Sequence, residues 1–178
     1  EPERKHDGRL VAREAVARTR GQVLVYDDKP IEAVFHADCG GYTADASQVW
    51  NGPALPYLAG GPDDLPASTH RAWTIDLSAA QIRTACNASR STAVGRRLTN
   101  LRVVDRDRSG RVLAIEVQGE RTVQLRGEQF RTLLNDAFGP RTIMSTRWTV
   151  ARTGETDTFT GSGYGRGVGL CQGCAATR

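Results

Sequence analysis

The residues GSGYGRGVGLCQ, at positions 161–172, decide more about this chain than any other stretch. Glycine occupies every second position from 161 to 169, and the residues between include Tyr164 and Val168, which are not typical of a flexible linker. A period of two is that of an extended backbone, here with every side chain of one face deleted. Because such a surface lets a second backbone or a flat polymer come close, the stretch predicts the floor of a binding groove.

The composition describes an ordinary globular protein and excludes several functional classes. The 178 residues, 39% apolar and 25% charged, suffice for one domain or two small lobes. The net charge is +4, but the basic residues are scattered and aromatic residues make up only 6%, so the footprint of a nucleic-acid-binding domain is missing. No apolar stretch approaches membrane-spanning length, and the glycines lack the offsets of a phosphate-binding loop. We therefore expect no nucleic-acid partner and no membrane span.

Hydrophobic periodicity and turn residues predict an α+β fold of antiparallel hairpins, small sheets and a few short helices. The helix from Ser78 to Cys86 has the clearest start, because Ser78 and Gln81 are spaced as a capping box. Other helices are predicted over 11–19 and 129–138, and an irregular loop over 51–66. Strands are predicted over 22–26, 31–36, 73–77, 98–104, 112–117, 122–125, 146–151 and 156–160. Residues 22–26 and 31–36 are expected to pair as a hairpin.

The four cysteines leave several readings open. Cys39, Cys86, Cys171 and Cys174 allow three disulfide connectivities, and the sequence does not choose among them. Cys171 and Cys174 have the spacing of a redox pair or a metal knuckle, but no second such pair exists to complete a four-cysteine zinc site. Two disulfides in an exported protein and four reduced, buried cysteines are both compatible with this pattern.

Several segments together resemble the stage II sporulation protein D domain family, also called the SpoIID/LytB or amidase-enhancer family. They are AVARTRGQVLVY (15–26), FHADCGGYT (35–43), QVW (48–50) with PYL (56–58), and the glycine-rich stretch, which resembles the signature GxGxGHGVGxSQxGA. Their order and spacing agree over essentially the whole chain, so residues 1–178 are interpreted as one such domain.

The resemblance implies a peptidoglycan-acting protein. Active members are lytic transglycosylases that cut glycan strands lacking stem peptides, and others enhance amidases; the implied location is the cell envelope or the extracellular space. We expect residues 1–178 to lack both the helical segment that carries the family's catalytic glutamate and the family's C-terminal tail. Arg166 replaces the histidine of the signature, and Cys174 replaces its last glycine. The catalytic residue is therefore unknown, with Glu32 and His36 as candidates.

The leading hypothesis is glycan binding in a groove between residues 36–43 and 163–172, possible partners being glycan strands and a cell-wall amidase. The candidate substrate-binding residues are His36, Cys39, Gly40, Gly41, Thr43, Trp50, Tyr57, Gly163, Tyr164, Arg166, Gly167, Gly169 and Gln172. Two interpretations of Trp50 and Tyr57 stay open: their rings stack on sugar rings, or they fill the hydrophobic space beneath a loop. One alternative function is a non-catalytic cell-wall-binding module or amidase activator, and another is a zinc-stabilised interaction domain.

The sequence indicates no firm cofactor, and zinc is the one candidate considered. Some members of the family carry zinc near the FHADCGGYT segment, and His36, Cys39 and Cys171 are the candidate ligands here. Cys39 and Cys171 are also candidates for a disulfide between the two groove walls. A third reading makes Cys171 a nucleophile with His36 as its base and Asp38 as the orienting carboxylate.

Overall fold

A computed structural model describes residues 8–177, with side chains from Val11 onward; residues 1–7 and 178 of the predicted domain lie outside this description. The chain divides into two compact units between Ala33 and Val34. The first contains helix α1 (Gly8–Arg18) and a hairpin of strands β1 (Val25–Tyr26) and β2 (Lys29–Pro30). Asp27 and Asp28 both have positive φ, as a two-residue hairpin turn of type I′ requires. The predicted helix is confirmed, but the strands are shorter than expected.

The second unit contains the remaining elements. They are β3 (Phe35–His36), β4 (Tyr42–Thr43), α2 (Ala46–Trp50), β5 (Gly61–Pro62), β6 (Ala72–Ser78), α3 (Ala79–Asn87), β7 (Leu98–Arg106), β8 (Val112–Gly119), β9 (Val123–Arg126), α4 (Gly127–Phe138), β10 (Trp148–Thr153), β11 (Thr156–Ser162), β12 (Leu170–Cys171) and α5 (Gln172–Thr177). Two antiparallel three-stranded sheets have the orders β10-β11-β6 and β7-β8-β9. The α+β class with small antiparallel sheets is confirmed.

The two three-stranded sheets share one hydrophobic core with α3 and α4. Phe130 of α4, Trp148 of β10 and Phe159 of β11 meet at its centre, with ring centroids 5.2–6.1 Å apart. Helix α3 begins as predicted, because the Ser78 hydroxyl accepts from the Gln81 amide and the Gln81 side chain accepts from the Ser78 amide. This core holds β11 rigidly at the point where the glycine-rich stretch begins.

The predicted hairpin of residues 22–26 with 31–36 is wrong in its second strand. Residues 29–30 close the hairpin, whereas Phe35 and His36 pair in parallel with Leu170 and Cys171 of β12. Helices α2 and α5 were not predicted, and the loop 51–66 contains the two-residue strand β5. Short elements of this kind depend on partners distant in sequence, so local periodicity carries little signal for them.

The glycine-rich stretch is not the extended strand that its period of two predicts. Gly163, Gly165, Gly167 and Gly169 all have positive φ, between 75° and 107°. Residues with side chains rarely adopt this region, and a chain that enters it at alternate residues cannot run straight. The alternation of glycine therefore serves a turning backbone instead of a flat, side-chain-free face.

Asp157 of β11 is the clearest buried charge in this sheet. It is 1% exposed and accepts two hydrogen bonds from Arg152 of the neighbouring strand, one of them 2.9 Å long. We expect Asp157→Asn to lower the free energy of unfolding by about 2–3 kcal/mol, because the Arg152 guanidinium loses its counter-charge. Urea denaturation measures the loss. The matched control is Glu116→Gln, which alters the same two-bond geometry with Arg102 at the surface. If the two variants lose the same free energy of unfolding, burial of the Asp157–Arg152 pair does not contribute to stability as proposed.

Candidate functional site

The two segments that carry the family resemblance lie directly against each other. The backbones of Asp38 and Tyr164 exchange two hydrogen bonds of 3.1 and 2.8 Å. The Ala44 amide donates to the Gly167 carbonyl at 2.8 Å, and β3 pairs with β12. Residues 36–43 and 163–172 therefore form one hydrogen-bonded unit, and the space between their backbones is filled by their own contacts.

The glycines of the stretch are the points of closest approach in this unit. A Cβ atom at Gly163 would lie 2.8 Å from the Asp38 carbonyl oxygen, and one at Gly165 would lie 3.3 Å from the Cβ of His36. A Cβ at Gly167 would overlap the Arg111 guanidinium, and one at Gly169 would overlap the Val34 carbonyl. The sequence predicted that a second backbone or a polymer would pack closely against this stretch. The backbone that packs against it is that of residues 34–40 of the same chain.

Arg111 is buried beneath the contact between the two segments. It is 1% exposed, and its Nη2 donates to the Cys39 carbonyl at 2.7 Å and to the Tyr42 carbonyl at 3.5 Å. Burial lowers the pKa of its guanidinium, and the nearby Asp107 carboxylate opposes this shift. Arg111, Asp107 and Glu128 each have buried polar atoms without a partner among the described residues, and they line a cavity of about 20 Å³. Its volume and polar lining suit one water molecule.

Three of the four cysteines converge beside this unit. Cys39, Cys171 and Cys174 are buried and unpaired, and with Asp63 they place four ligand atoms within 4.8 Å of one another. The Cys39 and Cys174 sulfurs are 3.5 Å apart. Cys86 is buried in the main hydrophobic core instead. The cluster joins the first segment, the loop before β6 and the last helix.

Backbone amides point at these sulfurs. The Cys171 sulfur accepts from the amides of Cys39 and Cys174, and the Cys39 sulfur accepts from the Gly41 amide, each at 3.3 Å. Burial raises the pKa of Cys39 and of Cys174. The thiols of those two residues are therefore protonated at neutral pH unless a cation replaces the protons.

His70 and Asp38 form a pair at the edge of the cluster. Their side chains are 4% and 13% exposed, and His70 Nδ1 is 2.9 Å from Asp38 Oδ1 and 3.9 Å from the Cys39 sulfur. Although partial burial opposes it, hydrogen bonds from the amides of Arg71 and Gly40 and from His70 lower the pKa of Asp38. Sequence reasoning missed both His70 and Asp63, because they stand outside every motif and only the fold brings them to Cys39.

The structure places the other candidate residues in three environments. His36 is buried, and its Nδ1 lies 3.0 Å from the Val168 carbonyl, so it is not among the ligand atoms that converge with Cys39 and Cys171. Burial lowers its pKa, opposed by that hydrogen bond. Its expected role as a metal ligand therefore lacks geometric support, whereas its expected role as base to Cys171 stays a prediction. Glu32 is exposed and belongs to the first unit.

The remaining candidates are structural or exposed. Gly40 and Gly41 turn the chain around the cluster, Thr43 bonds to Gly61 across β4 and β5, and Tyr57 packs against a small apolar cluster. The ring of Tyr164 lies 5.9 Å from the guanidinium carbon of Arg71. Three candidates are exposed enough to contact a ligand: Trp50, Arg166 and Gln172. No helix in the described part of the chain is long and apolar enough to cross a membrane.

Comparison with known proteins identifies relatives over most of the chain. It is 31% identical over 162 residues to stage II sporulation protein D of Bacillus subtilis and 30% identical over 164 residues to an uncharacterized protein of Brachyspira hyodysenteriae. Each match covers 89% of this chain, which spans only 42% and 40% of those two proteins. A shorter match, 36% over 70 residues, covers 39% of this chain and 10% of the amidase enhancer of Bacillus subtilis.

A family model matches residues 64–169, which is more than half of the chain. The matched region begins beside Asp63 and ends in the glycine-rich stretch, so it contains both three-stranded sheets, α3 and α4. The resemblance to stage II sporulation protein D is confirmed by the relatives, and by its family model the chain belongs to the family described as Domain of unknown function (DUF8618).

Proposed function

We propose that this chain acts on the bacterial cell wall and binds the glycan strands of peptidoglycan. Relatives named stage II sporulation protein D and amidase enhancer support a cell-wall role and, with it, a location at the cell envelope. The observation that carries the proposal is the union of the two family segments into one hydrogen-bonded unit with Arg166 and Gln172 exposed on it. Exposed polar side chains on a rigid support are the usual arrangement of a binding site.

Binding without cleavage is the form of this function that the described residues favour. Cleavage of a glycosidic bond by a single carboxylic acid needs an acid of raised pKa. Hydrogen bonds from Arg102 lower the pKa of Glu116, and those from Arg96 lower that of Glu120. Glu128 lies within ion-pair distance of Arg131 and Arg166, so its carboxylate is already engaged. We therefore expect this chain to hold glycan and to leave it intact.

Sedimentation with purified peptidoglycan sacculi tests the proposal. The chain is expected to co-sediment with sacculi, more strongly after an amidase has removed the stem peptides, and to release no anhydro-muropeptides. Chitin beads and cellulose serve as polysaccharide controls. Failure to bind either form of peptidoglycan would overturn the proposed function, and release of anhydro-muropeptides would show that the acid lies among residues 1–178.

An amidase activator is the second candidate, favoured by the 70-residue match to the amidase enhancer. The same sacculi distinguish the two functions when a purified cell-wall amidase is added with and without the chain. Faster release of stem peptides at unchanged sacculus binding by the amidase supports activation. If the chain does not change the rate of stem-peptide release, the activator function is overturned and only the glycan-binding function is retained.

We also propose that the cysteine cluster holds a structural zinc ion. Three sulfurs and one carboxylate are a donor set that Zn²⁺ accepts, and the convergence of Cys39, Cys171, Cys174 and Asp63 within 4.8 Å fits tetrahedral coordination. His70 lies beside this set, with its Nδ1 3.9 Å from the Cys39 sulfur. Cys39, Cys171 and Cys174 would supply three ligands, and Asp63 or His70 the fourth. The ion would supply the positive charge that offsets three buried thiolates and would link the two family segments. With Asp63 as the fourth ligand, His70 would remain bonded to Asp38 through its Nδ1.

A further inference from the structure

The geometry points to a binding site for a neutral amino-sugar chain, of the N-acetylglucosamine type, in a cleft between α3 and α4. None of the family segments passes through this cleft except at Arg166. The inference rests on the proposed glycan-binding function and assigns it a place on the molecule. It moves the predicted groove from the closed contact of the two segments to the open surface beside them.

The cleft is large enough for a short oligosaccharide. Its volume is about 630 Å³, within the range usual for ligand pockets, and it is open to solvent. One wall is the end of α3 with the turn that follows it, where Ala85, Ala88, Ser89 and Ser91 leave room because their side chains are small. The other wall is α4.

Helix α4 presents a polar face to the cleft. Gln129, Thr132 and Asp136 are spaced three and four residues apart and therefore lie on one face of the helix, while Phe130 and Leu134 enter the core on the other. Within the described part of the chain, no side-chain hydrogen bond engages these three polar groups. They offer an amide, a hydroxyl and a carboxylate to a ligand.

Arg166 connects the glycine-rich signature to the cleft. Its side chain is 59% exposed, and its Nε lies 3.5 Å from Oε2 of Glu128, the same oxygen that lies 3.3 Å from Arg131. Glu128 thus holds Arg166 at the rim while leaving most of its guanidinium accessible. Arg166, which replaces the histidine of the family signature, therefore lines this cleft.

The charges and donors of the cleft match a neutral sugar better than an ionic ligand. Among the lining residues Glu128 and Asp136 are acidic and Arg166 is basic, and Arg131, which lies outside the lining, pairs with Glu128, so no large net charge is present to attract an ion. Hydroxyl and acetamide groups both donate and accept, and the walls provide acceptors on Asp136, donors on Arg166 and groups of both kinds on Gln129 and Thr132. Hydrogen bonds of sugar hydroxyls to a carboxylate or guanidinium are of the strong, charge-assisted kind.

Nuclear magnetic resonance titration of the full chain with the β-1,4-linked N-acetylglucosamine tetramer tests this assignment. Amide shifts are expected at Ser89, Thr132 and Asp136. Asp136→Ala and Arg166→Ala are each expected to weaken tetramer binding about fivefold or more. Asp105→Asn, an exposed carboxylate on β7, is the matched control with unchanged affinity. Urea denaturation of every variant separates loss of binding from loss of folding.

The outcomes separate this inference from the proposed function. Binding to sacculi that persists unchanged in Asp136→Ala and Arg166→Ala overturns the cleft and leaves glycan binding in place. Shifts elsewhere on the chain, or shifts in the cleft with the stem tripeptide and none with the tetramer, overturn it as well. No binding to sacculi or tetramer overturns both.

Discussion

Removal of zinc from the purified chain is expected to lower its melting temperature by roughly 10–20 °C, which corresponds to about 5 kcal/mol or more for a protein of this size. The reason is that three buried sulfurs meet the Asp63 carboxylate where the two family segments and the last helix join. Without the ion, β3, β12 and α5 are held by few backbone hydrogen bonds and a small apolar cluster. Thermal unfolding with and without a strong chelator measures the effect.

Replacement of single cysteines assigns the site. Cys39→Ser is expected to abolish stoichiometric zinc and to reproduce the stability loss of the chelated protein. Cys86→Ala is the matched control, because Cys86 is equally buried but lies in the main core. Its stability should fall while its zinc content stays at that of the parent.

Cobalt substitution identifies the fourth ligand. A site with three thiolates gives intense sulfur-to-cobalt absorption in the near ultraviolet, and this absorption should decrease in Cys39→Ser. Asp63→Asn or His70→Asn, whichever removes the fourth ligand, should shift the visible bands without removing the sulfur bands. A parent protein without zinc, or a disulfide between Cys39 and Cys171 found by mass spectrometry, would contradict the zinc site.

Gly169→Ala is expected to lower the free energy of unfolding by about 3–5 kcal/mol. Gly169 has a φ of 75°, which costs an alanine about 1–2 kcal/mol. Its Cβ would also overlap the Val34 carbonyl oxygen, and a backbone atom in a paired segment cannot move aside as a side chain can. Urea denaturation at constant zinc concentration measures the change.

Gly154→Ala is the matched control for this substitution. Gly154 has a similar φ of 60°, but a Cβ there would meet no atom within 4 Å. It should therefore lose only the conformational part, about 1–2 kcal/mol. If both variants lose the same amount, the glycine at 169 is required for its backbone angle alone and the close approach of the two segments is unimportant to stability.

Local sequence signals predicted the elements that form from their own residues. Three such elements are the capping box of Ser78 and Gln81, the strands β10 and β11, and the helix that ends before Gly139. Each forms through contacts between residues close in sequence, so the local residue pattern is enough to predict it. The family segments were likewise recognised without knowledge of their contacts. The α+β class follows from these elements together.

Tertiary structure alone decided the candidate site. Three features of the site depend on contacts between residues more than 20 positions apart. They are the pairing of Phe35 and His36 with β12, the backbone that packs against the glycines, and the set of residues around Cys39. A period of two is compatible with a flat strand and with a repeatedly turning chain, and only the partner backbone chooses between them. Asp63 and His70 had no motif to mark them, and the cleft beside Arg166 exists only because α3 and α4 pack at that distance. The sequence by itself determined the local elements and the family, whereas close packing of distant segments determined where ligands can bind.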